Sequence, residues 1–146
     1  MTTMRTNLRR NERGAALIEA AITIPIILLI AVGIFEFGRA YQTWQVLTNA
    51  AREGARVSIL AETSDAQVTS AVRAYMQSGQ LPKYASAGVS VERTVPFGSN
   101  TASRITVTYP FNFTVLNPVM KLLNSGATAG KGTTMMTSTA LMRNES

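Results

Sequence analysis

The chain contains no histidine and no cysteine. Histidine-based acid–base chemistry, catalytic triads, thiol nucleophiles, disulfides and ordinary zinc sites are therefore excluded. Acidic residues are also scarce: 8 against 14 basic ones, a net charge of +6. Past the first sixty residues the acids are only Glu62, Asp65, Glu92 and Glu145, widely scattered. The lysines there, Lys83, Lys121 and Lys131, sit in no recognisable catalytic motif. No glycine-rich phosphate loop follows a strand pattern. These gaps argue against an enzyme and leave no catalytic residue, metal set or cofactor to name. The basic balance does not point to nucleic acid either. The leader Met1–Gly14 carries Arg5, Arg9, Arg10 and Arg13 against Glu12, a local charge of +3, so half the net charge lies in the first tenth of the chain.

The apolar residues are concentrated near the start. Ala20–Phe35 has no charge, and only Thr23, Pro25 and Gly33 interrupt it. These residues reach about 24 Å as a helix. A hydrocarbon core of about 30 Å needs roughly 20 helical residues, so the run suffices if Glu19 and Glu36 lie near the two interfaces. The expected transmembrane part is about residues 17–38. A buried core helix of a soluble protein is the alternative, but the rest of the chain is too small to surround it. A secretory signal is another, but FEFGRAYQTW lacks a small-x-small cleavage pattern. Arginines precede the run, and only Arg39 closely follows it. The positive-inside rule places the N-terminus in the cytoplasm and the C-terminal part outside an inner membrane.

Helical periodicity continues past the run. Ala40, Trp44, Leu47, Ala51 and Ala55 recur three or four residues apart, which predicts one long helix over residues 15–61 with a single buried stripe. Ala50, Ala51, Gly54 and Ala55 form two small-x-x-x-small pairs. They permit close backbone approach, either to the chain's own sheet or to another subunit. Pro25 frees the carbonyl of Ala21, which predicts a kink or local unwinding.

Residues 62–146 read as an exported α+β domain. Ser64 and Gln67 make a capping box before an amphipathic helix over Asp65–Ser78, with Gly79 and then Pro82 as stops. Val89, Val91 and Val95 alternate with polar residues, and Phe97–Ala102 reads as a turn-like link. Ile105, Val107, Tyr109, Phe111 and Phe113 alternate strictly, although Pro110 suggests an edge or a bend. Val115–Leu123 reads as a short helix or apolar loop and Gly126–Gly132 as flexible. Thr133–Met142 reads as a last strand whose inward face the pattern leaves open. The fold class is α+β: a long helix, a second helix and about three antiparallel strands.

The informative junction lies where the basic leader meets the apolar run. Gly14 lets an extended backbone enter a protease cleft at the membrane surface. A cut after Gly14 would remove the +3 leader, expose a new amine at Ala15 and make Glu19 the fifth residue of the mature chain. Glu19 could then pair with such an amine and set axial register between stacked helices.

RGAALIEAA, the apolar run and IFEFGRAYQTWQVLTNAAREGARVSIL together resemble the TadE-like pseudopilins of tight-adherence (Tad/Flp) pili. The closing TTMMTSTALMR fits that family more loosely. The resemblance implies a class III signal peptide cut after Gly14 by a prepilin peptidase, and a minor type IV pilin-like component required for pilus assembly. It implies as partners other pilins and pseudopilins, a Tad inner-membrane platform, a cytoplasmic assembly ATPase and the lipid bilayer. Flp-type major pilins often carry Glu-Tyr after the cut. Here Ala20 follows Glu19, which points away from the major pilin. The competing class is an unprocessed single-span protein that displays a binding domain outside the membrane.

Overall fold

The computed structural model describes residues 8–60, 62–115 and 133–144, with side chains from Arg13 onward. Residues 1–7 of the leader, the short helix or apolar loop expected at Val115–Leu123 beyond Val115 itself, and the glycine-rich stretch Gly126–Gly132 lie outside the described residues. The elements are α1 (Leu8–Ser58), α2 (Asp65–Ser78), a short 3-10 turn (Tyr84–Ser86), β1 (Gly88–Phe97), β2 (Asn100–Phe111) and β3 (Thr134–Arg143). This is the α+β layout that the sequence predicts.

Helix α1 is 51 residues long, about 76 Å, and contains Pro25. It starts at Leu8 rather than Ala15, because Leu8–Arg13 contains no residue that breaks a helix. Its two halves differ completely in surroundings. Between Leu17 and Ile30 the large apolar side chains are exposed on every face, from Leu17 at 72% to Leu29 at 48%. Among the described residues no element covers them, and α1 is long and apolar enough to cross a membrane.

The outer half carries a buried stripe of Glu36, Thr43, Leu47, Ala50, Ala51, Gly54, Ala55 and Ser58. Trp44, expected in that stripe, is instead 47% exposed, and its neighbour Thr43 is buried. Adjacent helical residues differ by about 100° in direction, and small side chains let the sheet lie close to the helix where an indole would hold it away. Ser58 ends the helix, donating from Oγ to the Ala55 carbonyl at 2.7 Å.

Helix α2 occupies its predicted span. Ser64 Oγ accepts from the Gln67 N–H, and the Gln67 side chain accepts from the Ser64 N–H. Such a reciprocal cap satisfies two of the orphan donors at a helix start. Val68, Val72 and Met76 face the core. Gly79 follows, but not as the left-handed stop that its identity suggests. Its φ is −76°, and Gln80 takes the positive φ of 58°. Glycine is needed at 79 because a Cβ there would lie 2.6 Å from Val46 Cγ1 on α1.

The three strands form an antiparallel sheet of order β1-β2-β3. β1 and β2 are joined by a two-residue turn at Gly98 and Ser99, with Phe97 paired to Asn100 and Gly98 at φ 60°. The link is thus shorter than the predicted Phe97–Ala102, because glycine at a hairpin corner adopts positive φ without strain. β2 buries Ile105, Val107, Tyr109 and Phe111 on one face. It is the central strand, so Pro110 does not mark an edge strand. Proline is tolerated there because β1 pairing ends at Gly88–Thr108, which leaves Pro110 with a neighbour only in β3, at Met135. The inward face of β3 is Met136, Ser138, Ala140 and Met142, with Ser138 Oγ bonded to Thr48 Oγ1 of α1 at 3.2 Å.

Leu47, Ala50, Ala51 and Ala55 of α1, the three α2 side chains and the four from β2 make one core. The outer half of α1 therefore belongs to the same packed unit as the C-terminal residues. A bulge between Glu92 and Val95 re-aims Arg93. Its guanidinium donates to Ser58 O at 2.9 Å, Thr63 O at 2.6 Å and Asp65 Oδ1 at 2.8 Å, fastening the α1–α2 corner to the sheet. On the solvent side, the Arg56 guanidinium bonded to Glu53 holds that carboxyl below its ordinary value.

Candidate functional site

Two places on α1 combine polar chemistry with the apolar span. The first is the predicted processing junction. Gly14, Ala15 and Glu19 all lie within α1, so the backbone at Gly14 is helical and not extended. The helical leader turn continues directly into the apolar run, and a protease would have to unwind it. Glycine costs a helix interior about 1 kcal/mol against alanine, which makes Gly14 a weak point for such unwinding. A Cβ at Gly14 would meet nothing within 4 Å. Packing among the described residues therefore does not require glycine there. Ala15 and Glu19 are exposed and one helical turn apart, on the same face. Pro25 is also exposed, in the bare part of the helix.

The predicted packing residues behave differently. Ala50, Ala51 and Ala55 are at most 1% exposed. A Cβ on Gly54 would lie 2.5 Å from Val72 Cγ2 and 3.2 Å from Ile105 Cγ2. Of the two uses open to this small-residue stripe, it is occupied by the chain's own α2 and β2.

The second place was not singled out from sequence as more than a membrane-boundary carboxylate. Glu36 ends the apolar run, yet its side chain is fully buried. Its Oε1 accepts from the backbone N–H groups of Thr114 at 3.0 Å and Val115 at 2.8 Å. Its Oε2 accepts from Arg39 Nη1 at 3.1 Å. The same Arg39 Nη1 donates to Thr114 Oγ1 at 2.9 Å, and the guanidinium lies 5.4 Å over the Phe111 ring. Phe111 and Phe113 meet edge to face with centroids 5.1 Å apart. A buried carboxylate is tolerated only when paired and hydrogen-bonded, and this one is both. It clamps the end of β2 onto α1 at the level where the bare span stops. The Glu36–Arg39 spacing was legible as an i,i+3 pair. The partners 78 and 79 residues away had no local signal.

Compared with known protein families, residues 14–56 match the model of the TadE-like protein family. This helix is TadE-like. No curated protein and no solved structure matches the chain. The TadE-like segment runs from Gly14, at the junction, to Arg56, two residues before α1 ends. It takes in the bare span, Glu36, Arg39 and the small-residue stripe. It leaves out the α2–sheet part, which is where the sequence resemblance was weakest. The likeness, which covers less than half of the chain, suggests a Tad pilus-associated protein.

Proposed function

We propose that the chain is a minor pseudopilin of a Tad/Flp-type pilus, inserted in the inner membrane with its leader in the cytoplasm. A prepilin peptidase cuts after Gly14, and the mature chain, starting at Ala15, is required for pilus assembly. The observation that carries this reading is the bare apolar length of α1 joined to the TadE-like match that begins at Gly14. A helix that no described part of its own chain covers calls for cover by lipid or by other helices. A pseudopilin uses both in turn: the bilayer before assembly, and neighbouring pilins or pseudopilins afterwards.

Gly14 supports the cut because glycine there serves no packing need among the described residues, although Gly33 and Gly38 share that property. Glu19 supports the register role because it is exposed one turn from Ala15. The Tad inner-membrane platform and its assembly ATPase are the machinery that would move such a helix out of lipid. Catalysis has no part in this reading, and neither a cofactor nor nucleic acid is involved.

The test is the mass of the protein recovered from native membranes. Loss of Met1–Gly14, dependent on a prepilin peptidase, is the expected result. An intact leader in peptidase-positive, piliated cells would favour the single-span binding protein and overturn this proposal.

A further inference from the structure

Above Glu36 the outer half of α1 carries a second, unburied stripe. Phe37, Tyr41 and Trp44 follow at spacings of four and three, and are 67%, 61% and 47% exposed. They lie roughly a quarter-turn round the helix from the buried stripe. The Tyr41 and Trp44 rings are 6.2 Å apart, and Gln45 Nε2 donates to Tyr41 Oη at 2.7 Å. These are amphipathic rings with a wet end, unlike the purely aliphatic surface of Ile26–Ile30.

Their height along the helix is the second observation. A core of about 30 Å centred on Ala20–Phe35 ends near Phe37, and the headgroup layer adds roughly 5–8 Å. Tyr41 then stands about 5 Å above the hydrocarbon edge and Trp44 about 10 Å above it. Helical side chains lean towards the N-terminus, which here is towards the bilayer. The indole thus reaches down into the headgroup layer beside Tyr41. The described part of the C-terminal domain reaches down to the same height, since the Thr114 and Val115 N–H groups donate to Glu36 itself, and Val115 is 36% exposed.

Resting on the membrane-spanning reading above, we propose that the domain is seated directly on the outer headgroup layer of a phospholipid bilayer. Phe37, Tyr41 and Trp44 are its anchors on the helix, and Val115 is its touchdown point. The partner is the lipid interface, where tyrosine and tryptophan are favoured. The clamp makes this seat possible. Glu36, at hydrocarbon depth, meets two backbone donors and Arg39 instead of lipid. The domain thereby supplies the solvation that the bilayer cannot.

Trp44 is the single tryptophan of the chain, so the unmodified protein carries its own depth probe. The full chain is reconstituted in phosphatidylcholine–phosphatidylglycerol vesicles containing lipid quenchers placed at the headgroup, the upper acyl chain or the bilayer centre. Headgroup and upper-chain quenchers are expected to dominate, centre quenchers to act several-fold less, and aqueous iodide to act weakly. A W44F/V115W variant moves the probe to the described residue beside Glu36 and is expected to give the same shallow depth. Trp44 quenched fully by iodide and by no lipid probe would overturn the seat, as would quenching mainly from the bilayer centre. Protection from all quenchers would also overturn it, since a protein surface would then cover the stripe. Alkaline extraction of the same vesicles separates the two levels. Release of the chain would overturn the membrane-spanning reading itself, whereas retention with an iodide-exposed Trp44 overturns only the seat.

Discussion

Glu36 and Thr114 are 78 residues apart, yet both carboxylate oxygens of the first lie within 3.2 Å of the backbone nitrogen of the second. This contact joins the lowest described part of the C-terminal domain to the turn of α1 where the bare apolar surface ends. Together with the shared core it joins the long helix and the domain, so that movement of the helix along its axis would carry the domain with it.

Substitution of Glu36 tests the joint. E36A leaves the Thr114 and Val115 N–H groups without their acceptor and is expected to destabilise by about 1–3 kcal/mol, the cost of leaving buried donors unpaired. E36Q keeps one acceptor oxygen and should lose less. Denaturant unfolding of the full chain in detergent gives the energies. Hydrogen exchange gives the place: the amides of residues 114 and 115 should lose protection while α2 keeps its own. Unchanged protection at those two amides in E36A would remove the clamp from the account.

Gly54 tests the core. A Cβ there would lie 2.5 Å from Val72 Cγ2, far inside contact distance. G54A should therefore lower stability by about 1–3 kcal/mol through overpacking, despite a helix-propensity gain of about 1 kcal/mol. Adding V72A opens the space, and the double variant should be more stable than the two single effects added together. G38A, where a Cβ would meet nothing within 4 Å, should be neutral or stabilising in the same assay.

Arg93 tests the corner between the helices. It serves two carbonyls and one carboxylate from a bulged position in β1. R93A should cost about 1.5–3 kcal/mol, and R93K should recover little, because an ammonium cannot span three acceptors fixed by a planar fork. Thermal unfolding of the two variants checks both statements. A lysine variant as stable as the native chain would show that charge alone suffices.

What the residues announced, and what they concealed, follows from the range of each interaction. The capping box at Ser64 and Gln67 is local, and α2 begins and ends where it predicts. Alternation along Ile105–Phe111 is local too, and β2 buries those residues. The Thr43–Trp44 choice was not local. It turned on how near the sheet approaches the helix, and hydrophobicity alone favours the wrong neighbour. β3 carries apolar residues on both faces, with Met135 and Leu141 outward and Met136 and Met142 inward, so its orientation is decided by tertiary contacts such as Ser138–Thr48. Arg93 and Glu36 are charged residues in unremarkable local settings, and apart from Arg39 their partners lie 28 to 79 positions away. For the processing junction the balance is reversed. Gly14, Ala15 and Glu19 are conspicuous as a sequence and featureless as a structure, because their proposed partners are a protease and other chains.

Glu19 offers the sharpest test of assembly apart from folding. It lies far from the packed core, is exposed, and stands one turn above Ala15. E19Q should therefore leave the unfolding of the domain unchanged. Membrane insertion should persist, since removing a charge near a hydrocarbon boundary lowers the cost of insertion. Cleavage after Gly14 should persist as well, because the amide keeps the shape of the side chain and leaves the scissile bond intact. Pairing with the Ala15 amine of a neighbouring helix would be lost. Recovery of the protein in sheared pili should then fall by roughly tenfold, the consequence of about 1.4 kcal/mol at each such contact. Immunoblots of membrane and pilus fractions read the two quantities side by side. Normal incorporation with normal cleavage would refute the register role of Glu19 while leaving the processing proposal standing. Failure of cleavage itself would mean that the carboxylate is read by the peptidase rather than by neighbouring subunits.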